Sequence, residues 1–138
     1  MVRRVDPVTE DRLRTIPLFA HLDDDALASI AAWTTRFEAP TGHVLMEVGQ
    51  PGTGLFIVEE GELTVEFPSG RKLEIGPGEF VGELALLTDA PHTGRVCAAT
   101  DVRCLAIGRG EFLALLDAQP RVAVDMLPVL ARRLVDRD

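Results

Sequence analysis

Gly78-Glu79-Phe80-Val81-Gly82-Glu83-Leu84-Ala85-Leu86-Leu87, running on into Thr88-Asp89-Ala90-Pro91-His92-Thr93-Gly94-Arg95-Val96, is the stretch around which the chain is read. Leu84 to Leu87 holds no β-branched residue and reads as about one helical turn. Gly78 and Gly82 precede that turn. They permit a positive φ or a close backbone approach where a side chain would obstruct it. A helix start leaves its first N–H groups unpaired and carries partial positive charge, which suits an anion such as a phosphate. Glu83 stands beside that seat. Its carboxylate would repel an anion, so its use is to accept hydrogen bonds from neutral hydroxyls, such as those of a ribose.

Outward from this stretch, short β-rich runs alternate with turn residues from Trp33 to Ile107. The expected strands are Thr34–Ala39, His43–Glu47, Leu55–Glu59, Glu62–Phe67, Lys72–Ile75, Arg95–Ala99 and Val102–Ile107. Turns rich in Gly, Pro and Asp separate them, among them Pro40-Thr41-Gly42, Pro68-Ser69-Gly70 and Thr100-Asp101. This regular punctuation argues for an antiparallel sandwich or barrel. Leu63, Val65 and Phe67 alternate with Thr64 and Glu66, as in a half-buried strand. Leu55-Phe56-Ile57-Val58 is continuously apolar and is expected to be buried on both faces.

Helical patterns flank the β region. Residues 6–16 suit a short helix, and Asp23 is a good N-cap for a second, with Asp24 and Asp25 in its first turn. Leu27, Ile30 and Ala31 form that helix's buried stripe, and Trp33 at its end reads as a core residue. Phe112, Leu113, Leu115 and Leu116 suit a helix ending before Gln119-Pro120. A last helix carries Val122, Met126, Val129, Leu130 and Leu134 on one side and is bent by Pro128.

The 138 residues fit one domain, residues 1–138, with no internal repeat. A net charge of -8 argues against a general nucleic-acid surface, although a pocket can still hold a small anion. No apolar run reaches bilayer-spanning length and no signal-type N-terminus is present, so a cytoplasmic chain without membrane attachment is expected. Cys97 and Cys104 would face each other if Thr100-Asp101 is a two-residue hairpin turn. Reduced thiols are the favoured state in the cytosol. His21, His43 and His92 are too scattered for a metal motif, and Ser29 and Ser69 lack a nucleophile context. No catalytic or metal-ligating residue is assigned, and the chain is expected not to be an enzyme.

Phe80-Val81-Gly82-Glu83-Leu84-Ala85-Leu86-Leu87 and Pro91-His92-Thr93-Gly94-Arg95-Val96 together resemble the phosphate-binding cassette of cyclic nucleotide-binding domains. Those domains occur in cyclic-AMP-dependent kinases, gated channels and catabolite-activator-type regulators. The resemblance covers about residues 16–136. It implies a mainly β fold with flanking helices: an antiparallel β-roll or jelly-roll barrel, N-terminal helices, and two C-terminal helices. It implies backbone contacts from Gly82, Glu83, Leu84 and Ala85 to a cyclic phosphate, with Glu83 also on the ribose 2′-hydroxyl. Thr93 matches the family's small or hydroxyl residue. The family has Arg after the Pro, and His92 stands there instead. Glu59-Glu60-Gly61-Glu62-Leu63 resembles a family hairpin that commonly holds a Gly.

An Arg offers a fixed fork of donors and permanent charge, whereas a neutral His offers one donor. Either His92 protonates when a phosphate arrives, or the anion site is weakened. Arg95 is a second candidate cation whose face the alternation leaves open. The resemblance implies a regulatory domain that binds cyclic AMP or cyclic GMP, needs no cofactor and signals through movement of the last helix. The partners expected are the nucleotide, an effector protein on another chain, and a second copy through the last helix. The alternative is a degenerate fold of the same kind that works as a protein-interaction or dimerisation module without nucleotide.

Overall fold

A computed structural model describes residues 1–136. The chain opens with strand β1 (Arg3–Arg4), helix α1 (Glu10–Arg14), a 3-10 turn (Pro17–Phe19) and helix α2 (Asp24–Trp33). Strands β2 (Thr34–Ala39), β3 (Val44–Met46), β4 (Gly54–Glu60), β5 (Leu63–Glu66), β6 (Lys72–Ile75) and β7 (Phe80–Val81) follow. Helix α3 (Glu83–Thr88) precedes β8 (Arg95–Ala98) and β9 (Val102–Gly108), and helices α4 (Arg109–Ala118) and α5 (Pro120–Asp136) end the described chain. Asp23 caps α2 as its sequence position suggests, accepting a hydrogen bond from the Ala26 N–H at 2.8 Å.

The strands form two antiparallel sheets. One has the order β1-β2-β9-β4-β7 and the other β3-β8-β5-β6. This is the expected β-roll, open rather than closed into a barrel. The alternation along β4 and β9 divides the core. Leu55, Ile57, Leu105 and Ile107 face the helices and pack with Leu13, Leu27, Ile30 and Phe112. Val58 and Cys104 face the other way and pack between the sheets with Leu63, Val65 and Val96. Burial on both faces explains the continuous apolar run of β4.

The Glu59 carboxylate is buried at the edge of β4 and accepts from the guanidinium groups of Arg36 at 2.7 Å and Arg12 at 3.0 Å. That pairing ties α1 to the five-stranded sheet and satisfies a charge that would be costly alone.

Several expectations are corrected. Thr100-Asp101 is not a hairpin turn, because β8 and β9 belong to different sheets. Cys97 pairs with Val44 and Thr64, and Cys104 with Phe37 and Val58, so the two thiols do not face each other and both are free. Burial pushes the Cys104 thiol up to about 12, which keeps it protonated and inert. Glu60-Gly61 is likewise a crossover between sheets, from β4 to β5. Trp33 is 39% exposed, since α2 ends as its stripe turns off the core. Leu113 is also exposed, on the outer face of α4. Leu134 is 65% exposed, because the last turns of α5 leave the hydrophobic core.

Candidate functional site

The site grows from the backbone at Gly82, whose φ of 99° lies in the left-handed region. A Cβ there would stand 2.6 Å from Met46 Cε and 2.8 Å from the Gly54 carbonyl oxygen. Only glycine fits without a shift, and it delivers the chain directly into α3. The helix ends at Asp89, also left-handed at φ 55°, whose carboxylate accepts from Arg109 at 2.8 Å. The segment after α3 is strapped in place. His92 donates its N–H to the Gln50 carbonyl at 2.9 Å, and its carbonyl accepts from the Gly49 N–H at 3.0 Å.

Between this cassette and the four-stranded sheet lies a cavity of about 110 Å³. Val65, Leu73 and Val96 form an apolar wall. Gly82, Glu83, Leu84 and Ala85 line the opposite side, joined by His92 and Thr93. These six residues, all singled out in the sequence, are therefore brought together around one space. Arg95 is not among the lining residues. Val96 turns inward, so Arg95 turns outward, half-exposed, with its Nε 3.3 Å from the Glu47 carboxylate.

Glu83 is the buried carboxylate of the site, only 3% exposed. Its Oε1 accepts from Nη1 of Arg133 at 2.8 Å, and Nη2 of the same guanidinium donates to the Phe80 carbonyl at 2.5 Å. The guanidinium also sits over the Phe80 ring, 4.8 Å from its centre. One side chain of α5 is thus clasped to the cassette by three contacts. Burial pushes the Glu83 carboxyl above its ordinary value. The Arg133 charge and the N–H groups of Glu83 and Leu84 pull it back. Burial holds the half-buried His92 below its ordinary value, which favours neutral imidazole.

Sequence reasoning missed two charged lining residues. Arg133 carried no local signal, since only the path of α5 brings it to a residue fifty positions earlier. Arg71 did carry one. It continues the inward row of Leu73 and Ile75 at a spacing of two.

The sequence model described as the cyclic nucleotide-binding domain matches residues 36–119. The chain belongs to the cyclic nucleotide-binding domain family. Its β-roll is similar to the N-terminal domain of a transcriptional regulator from Streptomyces coelicolor A3(2), at 37% identity and a TM-score of 0.65, covering 93% of this chain and 95% of that one. It is 36% identical over 123 residues to a cyclic nucleotide-gated potassium channel of Mesorhizobium japonicum, covering 88% of this chain and 34% of the channel. The regulatory subunit of a cAMP-independent protein kinase A from Trypanosoma brucei is 26% identical with a TM-score of 0.75, covering 88% of this chain and 45% of that one. The chain thus spans about a third of the length of the channel relative it matches. Among the described residues of this cyclic nucleotide-binding domain, no helix is long and apolar enough to cross a membrane.

Proposed function

We propose that this cyclic nucleotide-binding domain is a non-catalytic sensor that takes a cyclic nucleotide into the cavity between cassette and sheet. The observation that carries this reading is the Glu83 carboxylate, buried on the cavity side at the start of α3 with Arg133 as its side-chain partner. The ribose 2′-hydroxyl donates to Glu83. The cyclic phosphate lies against the N–H groups of Leu84 and Ala85, with His92 and Thr93 beside it. The base lies on the apolar wall.

The same carboxylate links the ligand to α5. A ribose hydroxyl and the Arg133 guanidinium both address Glu83, so occupancy changes how firmly α5 is held. The shift is limited by the difference in ligand affinity between the two helix arrangements. The output passes to an effector protein on another chain. A second copy packs on the outward row of α5, where Val124, Leu127, Ala131 and Leu134 are exposed at the 3-4-3 spacing of a helical seam. A cytoplasmic location is part of this proposal.

A second reading has its own support. His92 stands where the family places a permanent cation, and Glu83 is already satisfied by Arg133. A nucleotide-free interaction module fits both facts, and the cAMP-independent kinase subunit has a similar fold. Calorimetric titration with cyclic AMP and cyclic GMP separates the two. Heat with micromolar affinity that Glu83→Ala abolishes supports the sensor. No heat at millimolar nucleotide, with no thermal shift, supports the interaction module.

A further inference from the structure

The cavity holds a cation that the proposed pose does not use. Arg71 stands just before β6, and its carbonyl accepts from the Phe67 N–H at 2.9 Å, which extends the β5–β6 ladder past Lys72. Inward residues of β6 alternate, Ile75 then Leu73, so Arg71 takes the next inward place. It lines the cavity beside the apolar wall of Val65, Leu73 and Val96. Among the described residues its guanidinium has no hydrogen-bond or ion-pair partner. The other two cationic side chains at the cavity differ. Arg133 is engaged with Glu83 and Phe80, and burial holds His92 below its ordinary value.

A charged side chain in an inward apolar row with no protein partner is a mark of ligand recognition. A guanidinium has donors only, set in a planar fork, and matches two adjacent acceptors on a flat edge. Guanine presents such a pair in O6 and N7. Adenine presents N7 next to the N6 amino donor, which sets donor against donor.

We propose that Arg71 reads the base and makes the cavity selective for a guanine over an adenine cyclic nucleotide. This rests on the reading of the cavity as a cyclic-nucleotide site. Because Arg71 has no side-chain partner to lose among the described residues, Arg71→Gln is expected to keep the melting temperature of the unmodified protein.

Calorimetric titration of the unmodified protein, Arg71→Gln and Arg71→Lys with cyclic GMP and cyclic AMP tests it. The unmodified protein is expected to bind cyclic GMP about ten- to a hundredfold more tightly than cyclic AMP. Arg71→Gln is expected to weaken cyclic GMP alone, bringing the two ligands within about threefold. Arg71→Lys keeps the charge without the fork and is expected not to restore the preference. Equal affinities in the unmodified protein overturn the inference and leave the sensor reading standing. So does an equal loss for both nucleotides in Arg71→Gln, which would assign Arg71 to the phosphate they share. Binding of neither nucleotide overturns the inference and the sensor reading together.

Discussion

His92 and Glu83 show how single residues set the chemistry of the site. Burial holds His92 below its ordinary value of 6.5, so folding favours the neutral ring and the unfolded chain takes up the proton first. The protein alone therefore loses this group's contribution to stability as pH falls through that region. Nucleotide binding has the opposite sign, since the phosphate favours imidazolium. Affinity is expected to rise between pH 8 and pH 6, and titrations of His92→Gln at both values should show no such rise. His92→Arg supplies the charge permanently and is expected to tighten binding about ten- to a hundredfold with a flat pH profile. Arg133→Ala strands the Glu83 carboxylate in a buried place. Losing one partner of a buried pair costs about 3 kcal/mol, which urea melts at pH 8 would read. Burial then raises the carboxyl pKa above its unfolded value. The cost is present above the folded pKa and vanishes below the ordinary value of 4.5, so melts at pH 4 should converge with the unmodified protein.

At the scale of elements, α5 has two working faces. Val122 and Met126 are buried against the body, and Arg133 reaches the cassette from the half-buried side. Val124, Leu127, Ala131 and Leu134 make the opposite, exposed row. The proposed helix-to-helix dimer depends on that row. Leu127→Glu combined with Leu134→Glu is expected to convert a dimer to a monomer in sedimentation experiments, with little change in the melting curve of the isolated domain. An unmodified protein that sediments as a monomer at high concentration would count against the dimer. The helix itself was legible from its apolar positions, and so was most of the β framework. Strands Thr34–Ala39 and Lys72–Ile75 have the bounds their residues suggest. The two-residue strands β1 and β7 were missed, because two residues carry no period to detect.

Across the whole molecule, the fold depends on the places where the chain passes from one sheet to the other. Two such crossovers meet at Gly61, whose φ is 85°. A Cβ there would lie 2.3 Å from the Asp101 carbonyl oxygen. Hydrogen bonds join the same two segments, with the Glu62 N–H donating to Thr100 Oγ1 at 3.0 Å and the Ala99 N–H to the Glu62 carbonyl at 2.9 Å. Gly61→Ala is therefore expected to cost about 2 kcal/mol or more, seen as a lower urea midpoint at unchanged slope. A hairpin at this glycine would tolerate the change better, because no second strand end would press on it.

Local pattern determined most of the secondary elements and the α2 cap, because spacing, capping and turn chemistry act over a few residues, and the cassette was legible through its resemblance to the family. Tertiary structure decided the rest. Turn residues at Gly61 and Thr100-Asp101 look alike whether the next strand stays in its sheet or crosses, so the separation of Cys97 from Cys104 had no local signature. Arg95 and Arg71 differ only in which side of a sheet faces the cavity. Arg133 reaches Glu83 because α5 folds back over the cassette, and sequence order carries no distance between residues so far apart.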